Sequence, residues 1–272
     1  MLLTTGCSFV WGDELKGFDT SPTTHWPSTF THLLSEHLDL PWENAGSCGA
    51  SNHKIFRDLC QWFNGKDYTF SKRLRQNKIA TPETVTHMVV LWSAWQRDEI
   101  PVAVHPSVED EHNIQRFDNI TQYSPHRIGT IGYLPTEVKQ VTSDYFHIHS
   151  DCRKDVMQNL PYWLAVQQMA KAHNIKLIQG CFHDIMWREI CVIMANKEPL
   201  LKEYRTMIGD MLGQLDRPSR LGLGRFKTLH GLVLQSDPKE GLNLYPHGHP
   251  NEETQVVFAE QLKNIFKECY DG

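Results

Sequence analysis

Apolar residues along this chain fall into two alternating patterns. Short unbroken runs occur at Leu2 to Thr5, at His87 to Trp92 (HMVVLW) and at Ile175 to Gly180 (IKLIQG). Runs of that length and composition read as strands buried on both faces. A brief extended piece at Pro41 to Glu43 adds a further strand. Between them lie stretches with helical spacing: Trp26 to Leu38, with Phe30, Leu33, Leu34 and Leu38 on one face; His53 to Phe63; Val156 to His173; and Asn251 to Glu268, with Val256, Val257, Ala259, Leu262, Ile265 and Phe266. Strands alternating with helices predict a parallel sheet, here a flavodoxin-like three-layer α/β/α sandwich with a central sheet of about five strands. Ligands of such sheets bind beyond the carboxyl ends of the strands. The loops carrying Ser8, Gly49, Ser93 and Cys181 are therefore the ones to read for chemistry.

Residues 98–150 and 187–237 are poorly periodic and rich in Pro, His and charge. They read as insertions that cap a site within one domain spanning 1–272, since 272 residues fit a single α/β core with additions. Hydrophobic residues at 40% and charged residues at 22% describe an ordinary globular chain. A formal charge of -5 without a long basic run argues against nucleic acid or an anionic membrane as partner. The opening residues have neither the basic stretch nor the apolar run of a signal peptide, and no later run approaches a membrane span. Seven cysteines, odd in number and without CxxC pairs, argue against a disulfide framework or a zinc ribbon. A soluble protein with reduced thiols in a cytosol-like compartment is expected, with no cofactor.

Leu2 to Thr5 runs straight into Gly6-Cys7-Ser8, a tight turn that exposes a hydroxyl at the end of a strand. A serine attacks only when a base removes its proton and N–H donors receive the oxyanion. Ser8 offers the hydroxyl and one backbone N–H. Gly49, in the loop from Asn44 to Asn52, offers a second N–H without a side chain in the way. His249, just before the last helix, offers the base.

Gly6 to Asp13 (GCSFVWGD), Asn44 to Gly49 and His249-Pro250-Asn251 resemble, in order and spacing, the first, second and final blocks of the SGNH (GDSL-type) hydrolases. The resemblance runs from Leu2 to about Leu262. It implies Ser8 as nucleophile, Gly49 as oxyanion donor, His249 as base, and acetyl or other short acyl esters, on small molecules or carbohydrate, as substrates. The GCSF opening and the Trp-Ser third block are also similar to those of compact phage-encoded proteins, which implies the host cytoplasm as the place of action. Two positions depart from the family pattern. Where its third block carries an Asn that donates to the oxyanion, this chain reads Leu91-Trp92-Ser93-Ala94-Trp95-Gln96-Arg97, leaving Ser93, Gln96 or Arg97 as substitute donors. Where an Asp precedes the His of the final block, this chain has Pro246 and His247. Asp184, after the strand ending at Gly180, is the substitute for orienting the imidazole.

Two other readings stand beside this one. His147, His149 and Asp151, with His247 and His249, place alternate side chains on one side of an extended segment and would suit a metal-dependent hydrolase. The same fold could also bind a ligand without turnover.

Overall fold

The computed structural model describes residues 1–11, 28–46, 50–65, 80–93, 98–99, 121–122, 152–183, 185–222, 227–229, 231–232 and 250–271. In chain order the elements are β1 (Leu2–Gly6), α1 (Ser8–Trp11), α2 (Phe30–Leu38), β2 (Trp42–Gly46), α3 (Asn52–Phe63), β3 (His87–Trp92), β4 (Asp98–Glu99), β5 (Thr121–Gln122), α4 (Cys152–Ala172), β6 (Lys176–Cys181), α5 (Ile185–Ala195), α6 (Lys202–Gln214) and α7 (Glu252–Tyr270). Four strands form the main sheet in the order β2-β1-β3-β6. All are parallel and in register, with Leu2 opposite Trp42 and His87, and His87 opposite Lys176. This is the strand order of a flavodoxin-like sheet, as expected.

Every residue of β1 is buried, so both sheet faces are covered. Register and period-two alternation assign each row to its layer. Thr4, Val89 and Ile178 share one face. There the Thr4 hydroxyl shares a 2.6 Å hydrogen bond with that of Thr31 on α2, and Phe30 of α2 meets Phe258 of α7 edge-on at 5.1 Å. Thr5, Val90 and Gln179 share the other face. The Gln179 amide donates to the Trp163 carbonyl of α4 at 2.8 Å and accepts from the Trp92 indole at 3.0 Å, while α3 joins α4 through Phe56 stacked on Tyr162. Trp62, Trp92, Trp163, Phe30, Phe258 and Phe266 are the bulkiest buried side chains; burying each contributes roughly 1.5–3 kcal/mol.

The sheet has four strands among the described residues, one fewer than expected. Among the described residues, β6 also carries a parallel bridge from Gly180 to Leu221, with the Leu221 N–H donating to the Gln179 carbonyl at 3.2 Å. Within 187–237 the structure holds α5 and α6, helices that weak periodicity did not reveal. Within 98–150 it describes only β4 and β5, paired antiparallel with Asp98 opposite Gln122. Among the described residues no helix is long and apolar enough to cross a membrane.

Three of the helices bordering the sheet, α2, α3 and α7, start on a side-chain cap. Thr29 accepts from His32 N–H, Ser51 from Lys54 N–H and Asn251 from Thr254 N–H, each contributing about 1 kcal/mol. At its far end α7 is tied to the amino edge of the sheet. The Tyr270 hydroxyl donates to the Leu177 carbonyl at 2.7 Å and accepts from the Leu177 N–H at 3.0 Å, and Lys176 pairs with Asp271 at 2.6 Å. Burial behind these contacts pushes the Tyr270 phenol up to about 12.

His87, half-buried at the same edge against Phe266, has its pKa pulled down to about 4, first by desolvation and then by the charges of Lys176 and the N-terminus, against a smaller opposing pull from Asp271. A lowered folded-state pKa means that the unfolded chain binds the extra proton between the two values. The stabilisation from neutral His87 is therefore complete above about pH 6.5 and declines towards about pH 4. Thermal melts across that window should show the decline, and His87→Phe should flatten it; equal slopes in both proteins would refute the assignment. Gly6 adopts φ +154°, and a Cβ there would collide with the Leu91 carbonyl and approach Val10 Cγ2 to 2.6 Å. Gly6→Ala should cost on the order of 3 kcal/mol in urea unfolding; a loss below about 1 kcal/mol would mean that the backbone yields at this point.

Candidate active site

β1 is flanked by strands on both edges, and its chain leaves the carboxyl end through Gly6 and Cys7 into the single turn of α1, whose first residue is Ser8. Side chains on either side of Ser8 lock this turn. Cys7 and Val10 are fully buried, and Phe9 stacks on Phe182, just past β6, with ring centroids 4.1 Å apart. The Val10 N–H donates back to the Cys7 carbonyl at 3.0 Å.

A second lock comes from β2. Asn44, 2% exposed, donates from its amide nitrogen to the Val10 carbonyl at 2.7 Å, and its amide oxygen accepts from the Gly46 N–H at 2.9 Å. One side chain thus fixes both the turn that begins at Ser8 and the last residue of β2. In the sequence Asn44 marks only the start of a motif; its structural work lies in these two bonds.

The third lock was not anticipated. Asn52, the first residue of α3, grips the backbone of Ser93, the residue after β3. Its amide oxygen accepts from the Ser93 N–H at 2.6 Å and its amide nitrogen donates to the Ser93 carbonyl at 3.1 Å. Both residues are buried, and the Ser93 hydroxyl has no hydrogen-bond partner among the described residues. A buried hydroxyl without a partner is costly and calls for an explanation. Gly6 and Leu91 are register partners on adjacent strands. Ser8 and Ser93, each two residues further on, therefore leave the sheet from neighbouring strand ends.

The start of α7 belongs to the same edge. Its last turn is tied to the first residues of β6, so it runs antiparallel to the strands. Near its first turn, the Gln255 side chain accepts from the Phe30 N–H at the start of α2. The chain enters α7 through Pro250 and the cap Asn251, immediately after His249. The carboxyl edge of the sheet therefore carries Ser8 and Ser93, and the helix that comes after His249 begins at that edge. Gly49, Gln96, Arg97, Asp184, His247 and His249 themselves lie outside the described residues, as do His147, His149 and Asp151. Among the described residues no cluster of His, Cys, Asp and Glu is arranged to hold a metal.

Neither a protein-family model nor a curated protein sequence matches the chain. Among solved structures it is similar to a protein assigned to the lipolytic G-D-S-L family from Desulfitobacterium hafniense DCB-2, with 10% identity, TM-score 0.42 and coverage of 97% of this chain and 98% of that one. It is also similar to a member of the lipolytic G-D-S-L family from Veillonella parvula DSM 2008, with 10% identity, TM-score 0.40 and coverage of 98% and 97%. A third likeness is to an acetyl xylan esterase from the rumen bacterium Butyrivibrio proteoclasticus, with 11% identity, TM-score 0.43 and coverage of 98% of this chain and 63% of that one. At such identities and scores the fold of this protein rests on its own strand order and register, which are those of a doubly wound parallel α/β sheet.

Proposed function

We propose that this protein is a serine esterase acting on acetyl or other short acyl esters, small-molecule or carbohydrate-borne, with Ser8 as nucleophile and His249 as base. The observation that carries this reading is the placement of Ser8. It opens a helical turn at the carboxyl end of a strand flanked on both sides, and that turn is immobilised by Gly6, by Phe9 on Phe182 and by Asn44. A preorganised site must hold its reacting groups within a fraction of an ångström, and a nucleophile fixed by its neighbours' packing meets that need.

In this mechanism His249 takes the proton of the Ser8 hydroxyl as Ser8 Oγ attacks the ester carbonyl, forming the new C–O bond and a tetrahedral oxyanion. Backbone N–H groups of Ser8 and Gly49 receive that charge. The hydroxyl of Ser93, which has no partner among the described residues, fits the third donor, in the place where the resemblance calls for an amide; Gln96 and Arg97 come after it in the sequence. Collapse of the intermediate breaks the bond to the leaving alcohol, which takes the proton from His249. Water then attacks the acyl-enzyme by the same route and frees Ser8. Asp184 is the carboxylate assigned to orient the imidazole, with His247 two residues before the base in sequence. The His, Tyr and Trp content of 98–150 and 187–237 suits a polar, sugar-like ligand.

The reading is tested by fluorophosphonate labelling, followed by intact mass, of the wild type, Ser8→Ala and His249→Ala. The expected result is one adduct on the wild type and none on Ser8→Ala, with labelling of His249→Ala slowed by at least about 10²-fold. A folded wild type that takes no label would overturn it and favour a fold that binds without turnover. Ser93→Ala should lower kcat for p-nitrophenyl acetate by about 10²–10³-fold with KM little changed if its hydroxyl receives the oxyanion; an unchanged kcat would remove Ser93 from the mechanism.

A further inference from the structure

The amide of Asn52 is not needed by the helix it begins. Ser51 already serves as the cap of α3, accepting from the Lys54 N–H at 3.0 Å, and the Ile55 N–H returns to the Ser51 carbonyl at 3.0 Å. Nor does β3 need Asn52 to hold its place, since it is paired in register with β1 on one side and β6 on the other. Asn52 nevertheless commits both halves of its amide to one residue 41 positions away in sequence, and does so with only 1% of its surface exposed. The effect is to fasten the chain immediately after residues 47–49 to the end of β3. Before them, Asn44 fastens β2 to α1 through the Val10 carbonyl and accepts from the Gly46 N–H within its own strand. Two described segments, the end of β2 and the start of α3, are thus anchored. One is tied to the turn bearing Ser8 and the other to the strand end bearing Ser93.

We propose that Asn52 is a positioning residue of the active site: through its two hydrogen bonds to Ser93 it fixes the end of β3 against the start of α3, and so the position from which Ser93 meets the oxyanion. The assignment rests on the esterase reading above. Asn52 acts through Ser93. An error of about 1 Å in such groups lowers turnover by about 10²-fold. Loss of the clasp therefore lowers kcat and the rate of Ser8 acylation, and leaves ground-state binding nearly as it was.

The test uses the full chain as wild type, Asn52→Leu and Asn52→Asp, each checked for folding by circular dichroism. The first readout is the fluorophosphonate labelling rate; the second is kcat and KM for p-nitrophenyl acetate. The leucine substitution removes both hydrogen bonds at similar volume. The aspartate keeps an acceptor for the Ser93 N–H and loses the donor. The expected result is a fall of about 10–100-fold in labelling rate and kcat for Asn52→Leu, a smaller fall for Asn52→Asp, and KM within about twofold of wild type in both. Folded variants that label and turn over at the wild-type rate would overturn the positioning role while leaving the esterase reading intact. A folded wild type that takes no label overturns the esterase reading and this proposal with it. Should Asn52→Leu fail to fold, the kcat-against-KM split of Asn52→Asp decides the question alone.

Discussion

The constraint on which this structure depends is the enclosure of β1. Its backbone is hydrogen-bonded to β2 on one edge and β3 on the other, and its side chains are covered by helices on both faces. A strand so confined cannot shift its register, because a slip of one residue would exchange Thr4 for Thr5 and place each against the wrong layer. Its carboxyl end is therefore fixed, and the chain beyond Gly6 departs from a defined point in a defined direction. The close approach of Gly6 to the Leu91 carbonyl is the local cost of that precision, and it is why no residue with a side chain fits there.

From that fixed point the architecture spreads through asparagine side chains rather than through further strands. An asparagine amide presents a donor and an acceptor in one plane, so it can replace a rung of backbone pairing where the sheet has ended. Asn44 does this between β2 and α1, and Asn52 does it between α3 and the residue after β3. Both amides are buried and both halves of each are used, the condition under which buried polar contacts specify a single arrangement. The edge of the sheet that carries Ser8 is thus laced laterally, with the stacking of Phe9 on Phe182 extending the lacing to β6.

The strands and the helices bordering the sheet were legible in the sequence because their hydrophobic periodicity is the same physical quantity that buries them. HMVVLW has no polar alternation since β3 is covered twice, and the face of α2 that carries Phe30 and Leu34 is the face that meets α7. Boundaries shifted by a few residues; α4 starts before Val156 and α2 only at Phe30. Helices α5 and α6 were missed because they leave Val192, Met194, Tyr204 and Met207 exposed, which blurs the apolar stripe a helical reading needs. The expectation of a fifth strand came from the fold type and not from residues. At the site, the spacing of Gly6, Asn44, Gly49 and His249 was readable as motif. The clasp between Asn52 and Ser93 was not, since a contact across 41 positions leaves no local periodicity. The one available signal was an asparagine placed directly after a serine already suited to cap the helix.

The bridge between Gly180 and Leu221 bears on how copies of this protein behave towards one another. An outermost strand offers unpaired N–H and C=O groups to any extended segment that drifts past, and such edges are where sheets join into aggregates. On β6 that invitation is withdrawn near its carboxyl end by one residue. Leu221 occupies the Gln179 carbonyl, approaches so closely that only a glycine fits opposite it, and is itself held by the indole N–H of Trp187 on its own carbonyl at 2.7 Å. Pinned from behind, this bridge covers backbone groups that the edge of β6 would otherwise present at that point.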